Sequence, residues 1–388
     1  MTDFADLALL REERLARLRS AMAARALEVC LLFNESNIRY ATGASAMPIW
    51  SLSTMVRCAV VAAEGSPILF EHPNSVHRSR LRAADVRPMH PWEFCDYPGA
   101  EAAIWARETA AAIRELGAAG RIIAVDRLGT PGFLALQRLG FSLVDSAPAT
   151  QDAREIKTPQ EITLMRTNGA LVTSMLGAFE EAIVPGVRER DLLAELSDVL
   201  LRGGGEYQAT STVCSGPNTN PWRSEATDRK LEMGDLVFVD TDCVGIEGMF
   251  FCVSRTFPVG PPSRAQRETY ALAFEWLEGM KQAIRPDLTC SEIARGAPAL
   301  PAEFLPQRYE CMVHGIGLEE ESPSVCYPID TQSNPDRVIR ENMTLVVELY
   351  AGRVGGDHGV KLGDQVLVTR DGLEVLAPYP FSRPLLHA

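Results

Sequence analysis

Hydrophobic and polar positions follow two different patterns in the first 150 residues. Short apolar runs, which predict strands, cover residues 28–33, 57–63, 67–72, 121–126 and 141–145. Residues 7–22 and the alanine-rich stretch 101–117 instead show the three-to-four-residue spacing of helices. Strands that alternate with helices predict an α/β domain.

A domain boundary follows this region. Residues 146–152 are polar and loop-like. Thr158, Pro159 and Glu161 then form the pattern of a helix start, with a capping threonine, a first-turn proline and a glutamate three residues after the cap. We therefore predict two domains, residues 1–152 and 153–388.

The second domain shows the same order of predicted elements twice, and in each case a pair of helices is followed by strands. The predicted helices are 160–182, 188–202, 264–283 and 290–297, and the strand-rich stretches are 205–257 and 307–369. Because no literal sequence repeat accompanies this order, we predict an α+β domain made of two pseudo-symmetric halves.

The composition argues against several classes of protein. The chain is 46% hydrophobic and 23% charged and has no apolar run of 18 residues, so we expect a globular protein without a membrane-spanning helix. A net charge of −13 argues against a nucleic-acid partner. The first 30 residues do not resemble a signal peptide, and the nine cysteines include no CxxC pair, so we expect a cytoplasmic protein with reduced thiols.

Acidic residues in apolar runs are the first candidates for chemistry. Asp240 and Asp242 stand two apart in DLVFVDTD, which predicts two carboxylates on one face of a strand. Such a pair is costly unless something compensates it. Glu348 lies inside the apolar run LVVELYAG, where an acid is uncommon without a partner. The alternative for the aspartates is a strand end where they cap turns.

A histidine loop and a late strand add further candidates. His314 precedes Gly-x-Gly, and residues 319–321 are three consecutive glutamates. Taken alone, these features are better explained as a hydrogen-bonded core histidine and a solvated acidic face. Lys361 and Asp364 flank a strand in GVKLGDQVLVT, and the period of two predicts that Asp364 points away from the face of Gly363.

Several segments together make the chain resemble a known superfamily. In order they are NIRYATG (37–43), AREIKTPQEI (153–162), SGPNTNPW (215–222), VDTD and SRTF (239–257), HGIGL (314–318) and VKLGDQVLVT (360–369). With them the chain resembles the creatinase, aminopeptidase P and methionine aminopeptidase superfamily over essentially its whole length. The resemblance implies a creatinase-like N-terminal domain, a pita-bread C-terminal domain and a homodimer.

Within that superfamily the chain is most similar to the dimethylsulfoniopropionate lyases of the pita-bread fold. This resemblance implies that Tyr309 is an active-site proton donor and that Glu320 takes the place of the general base. The predicted substrate-binding residues are Trp50, Tyr207, Trp222, Glu247 and Glu321. Because aromatic rings attract onium groups, we expect a cationic or zwitterionic small-molecule substrate.

The superfamily holds two metal ions with five side chains, and the chain departs from that set at two positions. Asp240, His314 and Glu348 match, whereas Cys252 and Gly363 stand where the two bridging carboxylates are expected. Two dications need bridging oxygens, so we predict no binuclear site and favour no cofactor. The alternative is one zinc or iron ion held by Asp240, Asp242, His314, Glu348 and Cys252. A separate alternative makes Cys252 a nucleophile.

The leading prediction is a metal-independent enzyme that hydrolyses a C–N bond in a small charged metabolite, as the metal-free relatives creatinase and ectoine hydrolase do. His314 would shuttle a proton while Glu348 or Asp240 orients it. The alternatives are a lyase, which needs a base and a stabilised enolate, and a non-catalytic binding module. The predicted catalytic residues are Asp240, Asp242, Tyr309, His314, Glu320 and Glu348.

Overall fold

The protein is described by a computed structural model covering residues 5–52, 54–93, 95–222, 225–330 and 336–386. The described chain divides into two compact units, one of residues 5–154 and one from residue 155 onward. Each unit has its own hydrophobic core.

The N-terminal unit is built on a six-stranded mixed sheet. Its strands are β1 (Val29–Leu32), β2 (Cys58–Ala62), β3 (Ile68–Glu71), β4 (Asp85–Pro88), β5 (Ile122–Val125) and β6 (Ser142–Asp145). They lie in the order β4-β3-β2-β1-β5-β6, and β1 pairs antiparallel with β2 but parallel with β5. The five predicted strands are confirmed. The pattern does not predict β4, because Val86 is its only fully buried residue and no apolar run marks it.

The helices of this unit precede, separate and follow these strands in the sequence. They are α1 (Leu7–Ala24), α2 (Glu35–Thr42), α3 (Pro48–Ser51), α4 (Val76–Ser79), α5 (Pro98–Glu115), α6 (Thr130–Arg138) and α7 (Ala147–Glu155). Trp105 of α5 is buried, with its ring centroid 5.7 Å from Phe33 and 4.8 Å from Trp92. The loop predicted at residues 146–152 is wrong, because most of it is helical in α7, where Ala149 and Ala153 are buried.

The C-terminal unit contains five helices and eleven strands in its described residues. The helices are α8 (Pro159–Glu181), α9 (Glu189–Arg202), α10 (Arg264–Ala283), α11 (Cys290–Gly296) and α12 (Arg383–Leu386). The strands are β7 (Tyr207–Gln208), β8 (Val213–Ser215), β9 (Leu236–Asp240), β10 (Cys243–Val244), β11 (Phe250–Phe251), β12 (Ser254–Pro258), β13 (Val313–Ile316), β14 (Glu320–Val325), β15 (Thr344–Gly352), β16 (Gly359–Thr369) and β17 (Gly372–Val375). The four predicted helices are confirmed to within about one residue.

One large sheet joins the two halves of this unit. Its order is β14-β13-β15-β16-β12-β9-β8, with β17 paired to β16, and a small sheet has the order β11-β10-β7. The strands β8, β9 and β12 come from the first half and β13 to β17 from the second. The two halves meet where β12 pairs with β16. The helix α10 packs on β15 and β16 and buries Tyr270 and Leu277 in the core.

The start of α8 is capped as the sequence predicts. Thr158 Oγ1 accepts the backbone N–H of Glu161, and the Glu161 carboxylate accepts the backbone N–H of Thr158. Replacing Thr158 by alanine is expected to lower the free energy of unfolding by about 1 kcal/mol, because the N–H of Glu161 loses its acceptor. Denaturant titration measures the change. Thr163→Ala, which removes a hydroxyl bonded to the Pro159 carbonyl, is the control, and equal losses would contradict the capping role.

Across the described ranges, no helix combines the length and the apolar character that crossing a bilayer requires.

Candidate active site

Side chains from five neighbouring strands meet on one face of the large sheet. Asp240 at the end of β9 is in register with Ser254 on β12, Ser254 with Gly363 on β16, and Gly363 with Glu348 on β15. His314 on β13, the next strand, completes the row. Since adjacent strands lie about 4.8 Å apart, this register brings residues distant in sequence into contact range.

Lys361 projects into the middle of this row. It lies two residues before Gly363 on β16, and residues two apart on a strand share a face. Its side chain is fully buried; the ammonium pairs with Glu348 Oε2 and lies 3.5 Å from Asp240 Oδ2. The sequence makes Lys361 a candidate through the motif GVKLGDQVLVT but indicates no partner or role for it. The signal that could have identified Lys361 is its spacing of two residues from Gly363, which puts both residues on the same face of β16.

The carboxylates keep Lys361 charged. Burial opposes the ammonium form, but the negative charges of Glu348 and Asp240 outweigh burial and raise the pKa of Lys361 above its ordinary value. Burial also opposes the charge of Glu348, yet Lys361 and then His314 lower the pKa of Glu348 to about 2. The site therefore contains a buried ion pair at neutral pH.

His314 is held between a carbonyl and a carboxylate. Its Nδ1–H donates to the Gly315 carbonyl oxygen over 3.0 Å, and its Nε2 lies 3.2 Å from Glu348 Oε1 without hydrogen-bond alignment. Burial lowers the pKa of His314, but Glu348 and then Glu320 raise it, to about 9 overall. Gly315 permits a close approach of β14, because a Cβ there would lie 2.2 Å from the Ser322 carbonyl oxygen.

The two aspartates have different surroundings. Asp240 Oδ1 accepts hydrogen bonds from Ser254 Oγ at 2.8 Å and Cys252 Sγ at 3.4 Å. Asp242 lies beyond the end of β9, half-buried, with its Oδ2 3.3 Å from Thr210 Oγ1. Burial and the charge of Asp240 raise the pKa of Asp242 to about 8.

Burial and the neighbouring carboxylates also raise the pKa of the Cys252 thiol well above its usual value, which disfavours a thiolate nucleophile.

Two predicted aromatic residues surround the ammonium of Lys361. Its Nζ lies 4.0 Å from the Tyr309 ring centroid and 4.6 Å from that of Trp222, and the two rings are 4.9 Å apart. Trp222 was predicted to bind a cationic substrate and Tyr309 to donate a proton, but the cation that both rings contact in this structure belongs to the protein. Trp50 lies in the N-terminal unit, where it stacks on His72 with 4.0 Å between centroids.

The other predicted site residues lie on β14, on β7 and in the turn between β10 and β11. Glu320 begins β14 and is exposed, whereas Glu321 is buried and pairs with Lys157 over 2.8 Å. Glu321 therefore forms an ion pair inside the protein, although the sequence predicted that it would contact the substrate. Tyr207 lies on β7, half-buried, and Glu247 lies in the turn between β10 and β11 with a left-handed backbone (φ 56°).

Asp364 points away from this site, as predicted. Its carboxylate accepts hydrogen bonds from Arg255 Nη2 and Lys281 Nζ, each over 2.7 Å. Both cations lower the pKa of Asp364 although burial acts in the opposite direction. Asp364 is therefore committed to a structural ion-pair cluster and does not replace the carboxylate missing at Gly363.

Comparison with known proteins identifies the family. Residues 163–370 match the metallopeptidase family M24, and residues 14–156 match the creatinase/prolidase N-terminal domain. The chain belongs to metallopeptidase family M24. It has the creatinase-like N-terminal domain and the pita-bread C-terminal domain that the sequence predicts.

The chain is similar to both lyases and peptidases of this family. It is 32% identical to the dimethylsulfoniopropionate lyase DddP of Roseobacter denitrificans, over 99% of this chain and 89% of that protein. A DddP from Roseovarius nubinhibens is also 32% identical, over 98% of this chain and 88% of that protein. The solved Xaa-Pro dipeptidase from Bacillus anthracis matches with a TM-score of 0.79 and 22% identity, over 96% of this chain and 98% of that one. The predicted resemblance to the lyases is confirmed.

The residues present do not fit the metal pair that the family implies. Among the described residues, Asp240, Cys252 and Glu348 have potential ligand atoms within 4.8 Å of one another. However, Lys361 Nζ contacts two of these residues, and its charge would repel an added cation at short range. Even the Cβ of a glutamate at Gly363 would lie only 3.1 Å from Glu348 Cβ.

Proposed function

We propose that the protein is a metal-independent lyase that acts on a small zwitterionic carboxylate. The observation that carries this proposal is the buried group His314–Glu348–Lys361, in which Nε2 lies 3.2 Å from one carboxylate oxygen and Nζ pairs with the other. The sequence alone favours C–N hydrolysis, because loss of the metal ions removes the charge that would stabilise an enolate. Lys361 supplies a positive charge in that region and so favours elimination.

The relatives support the same choice. The similarity to the DddP lyases extends over nearly the whole of both chains. The similarity to the Xaa-Pro dipeptidase of Pyrococcus furiosus reaches 29% identity over only 58% of this chain. Elimination is therefore better supported than peptide hydrolysis.

In the proposed reaction Glu320 is the base. Its carboxylate is exposed at the start of β14, and its charge acts on His314. It takes a proton from the carbon next to the substrate carboxylate. The electron pair forms a carbon–carbon double bond while the bond from the next carbon to the leaving group breaks, and the leaving group departs with that bond's electrons. His314 and Lys361 would stabilise the negative charge that develops on the substrate carboxylate oxygens.

Product analysis in ¹⁸O-labelled water tests this proposal. The protein is treated with a chelator, dialysed, and incubated with dimethylsulfoniopropionate and other β-substituted propionates, and separately with creatine- and ectoine-like compounds. We expect an unsaturated carboxylate without ¹⁸O, formed at the same rate with and without chelator. Incorporation of ¹⁸O at a cleaved C–N bond would instead support hydrolysis. Turnover that requires added iron or zinc would contradict metal independence.

A further inference from the structure

We propose that the Lys361 ammonium is the resident cation of this site. It takes the electrostatic place of a metal ion and occupies the position beside the Tyr309 and Trp222 rings that a cationic ligand would use. Its Nζ pairs with Glu348 and lies 3.5 Å from Asp240 Oδ2, and these are two of the residues that match the family's metal ligands. An ammonium and a metal ion therefore compete for the same carboxylates. This role does not depend on which bond the enzyme breaks.

The donors around Asp240 agree with an internal cation. Ser254 Oγ–H and Cys252 Sγ–H both donate to Oδ1, and Lys361 faces Oδ2. Both oxygens of this carboxylate thus already face protein hydrogens.

The charges in the site lead to the same conclusion. The family's four carboxylates balance two dications, but here Cys252 and Gly363 replace two of them with groups that carry no charge. Asp240 and Glu348 contribute two negative charges, and the Lys361 ammonium offsets one of them. Two dications in the same place would leave a large uncompensated positive charge.

The aromatic rings complete the enclosure. Lys361 Nζ is 4.0 Å from the Tyr309 ring and 4.6 Å from the Trp222 ring, which is the distance range of cation–π contacts. An external onium group could use these two rings only by displacing Lys361. We therefore expect Trp222 and Tyr309 to bind an added cation only when the lysine side chain is shortened.

Methylammonium binding to the Lys361→Ala variant tests this role. The truncation leaves space beside both carboxylates and both rings, so methylammonium should bind at least about tenfold more tightly than to the unmodified protein. It should also raise the melting temperature of the variant, because a ligand that binds only the folded state stabilises it. Calorimetric titration and thermal unfolding measure the two effects.

The matched control is Lys281→Ala, which removes an ammonium that pairs with Asp364 on the opposite face of β16. It should gain no methylammonium binding. Equal binding by both variants, or none by a folded Lys361→Ala variant, would overturn the assignment. Neither result bears on elimination, because no turnover is measured.

A second measurement needs no variant at position 361. The unmodified protein is incubated with Fe²⁺, Zn²⁺ or Mn²⁺, desalted and analysed for metal content. We expect far less than one ion per chain. Stoichiometric retention that disappears in His314→Ala would place a metal ion in this site and refute the resident-cation role, whatever the reaction proves to be.

Discussion

Replacing Glu320 by glutamine is expected to lower kcat for elimination by about 10²- to 10⁴-fold, the range for loss of a general base. Glutamine keeps the size of the side chain but cannot accept a proton from carbon. Because Glu320 is exposed at the start of β14, the free energy of unfolding should change by no more than about 0.5 kcal/mol. Steady-state kinetics and denaturant titration on the same sample separate the two effects.

The neighbouring glutamate is the matched control for this experiment. Glu319→Gln removes the same charge one residue earlier and should retain turnover within about twofold, since long-range charge effects at the surface are screened by salt. If both variants lose activity equally, the effect comes from the charge of the loop. If Glu320→Gln remains fully active, the base is another residue.

Replacing Glu348 by glutamine is expected to lower the free energy of unfolding by about 3–5 kcal/mol, the range for breaking a buried ion pair by removing one partner. Lys361 is fully buried and would keep Asp240, whose Oδ2 lies 3.5 Å from its Nζ, as a negative neighbour. Denaturant titration measures the loss. Glu341→Gln, at an exposed position, should stay within about 0.5 kcal/mol.

The double variant Glu348→Gln with Lys361→Met isolates the interaction between the two charges. Removing both charges should recover part of the stability lost in Glu348→Gln, because no buried ammonium is then left without its partner. A double variant that is less stable than the sum of the two single losses would contradict an ion pair as the source of the effect.

The charges in this site explain why its residues depart from the two-metal set of the superfamily. A two-metal site depends on bridging carboxylates, and their replacement by Cys252 and Gly363 leaves Asp240 and Glu348 with unbalanced negative charge. A lysine on the same strand face as Gly363 supplies a single positive charge at low steric cost. In this proposal the scaffold is retained and the charge at its centre comes from a side chain.

Most elements of the fold can be predicted because their signals are local. The capping residues of α8 and the periodicity of α10 lie within the segments that they shape. Two elements that the sequence did not predict, β4 and α7, also have local reasons for being missed. The strand β4 has only one fully buried position, and α7 begins in a polar stretch whose small buried alanines do not form an apolar stripe.

By itself, the sequence determined the acidic positions Asp240 and Glu348, the histidine loop at His314 and the replacement of both bridging carboxylates, because each is a feature of one short motif. Only the tertiary structure decided which group lies between them. A period of two assigns Lys361 to a face of β16, but its ion-pair partners Glu348 and Asp240 are 13 or more residues away in sequence. The Trp222 ring beside it is also distant in sequence. Ion pairs and ring contacts depend on distance in space, and the strand register that sets this distance forms only when the sheet assembles.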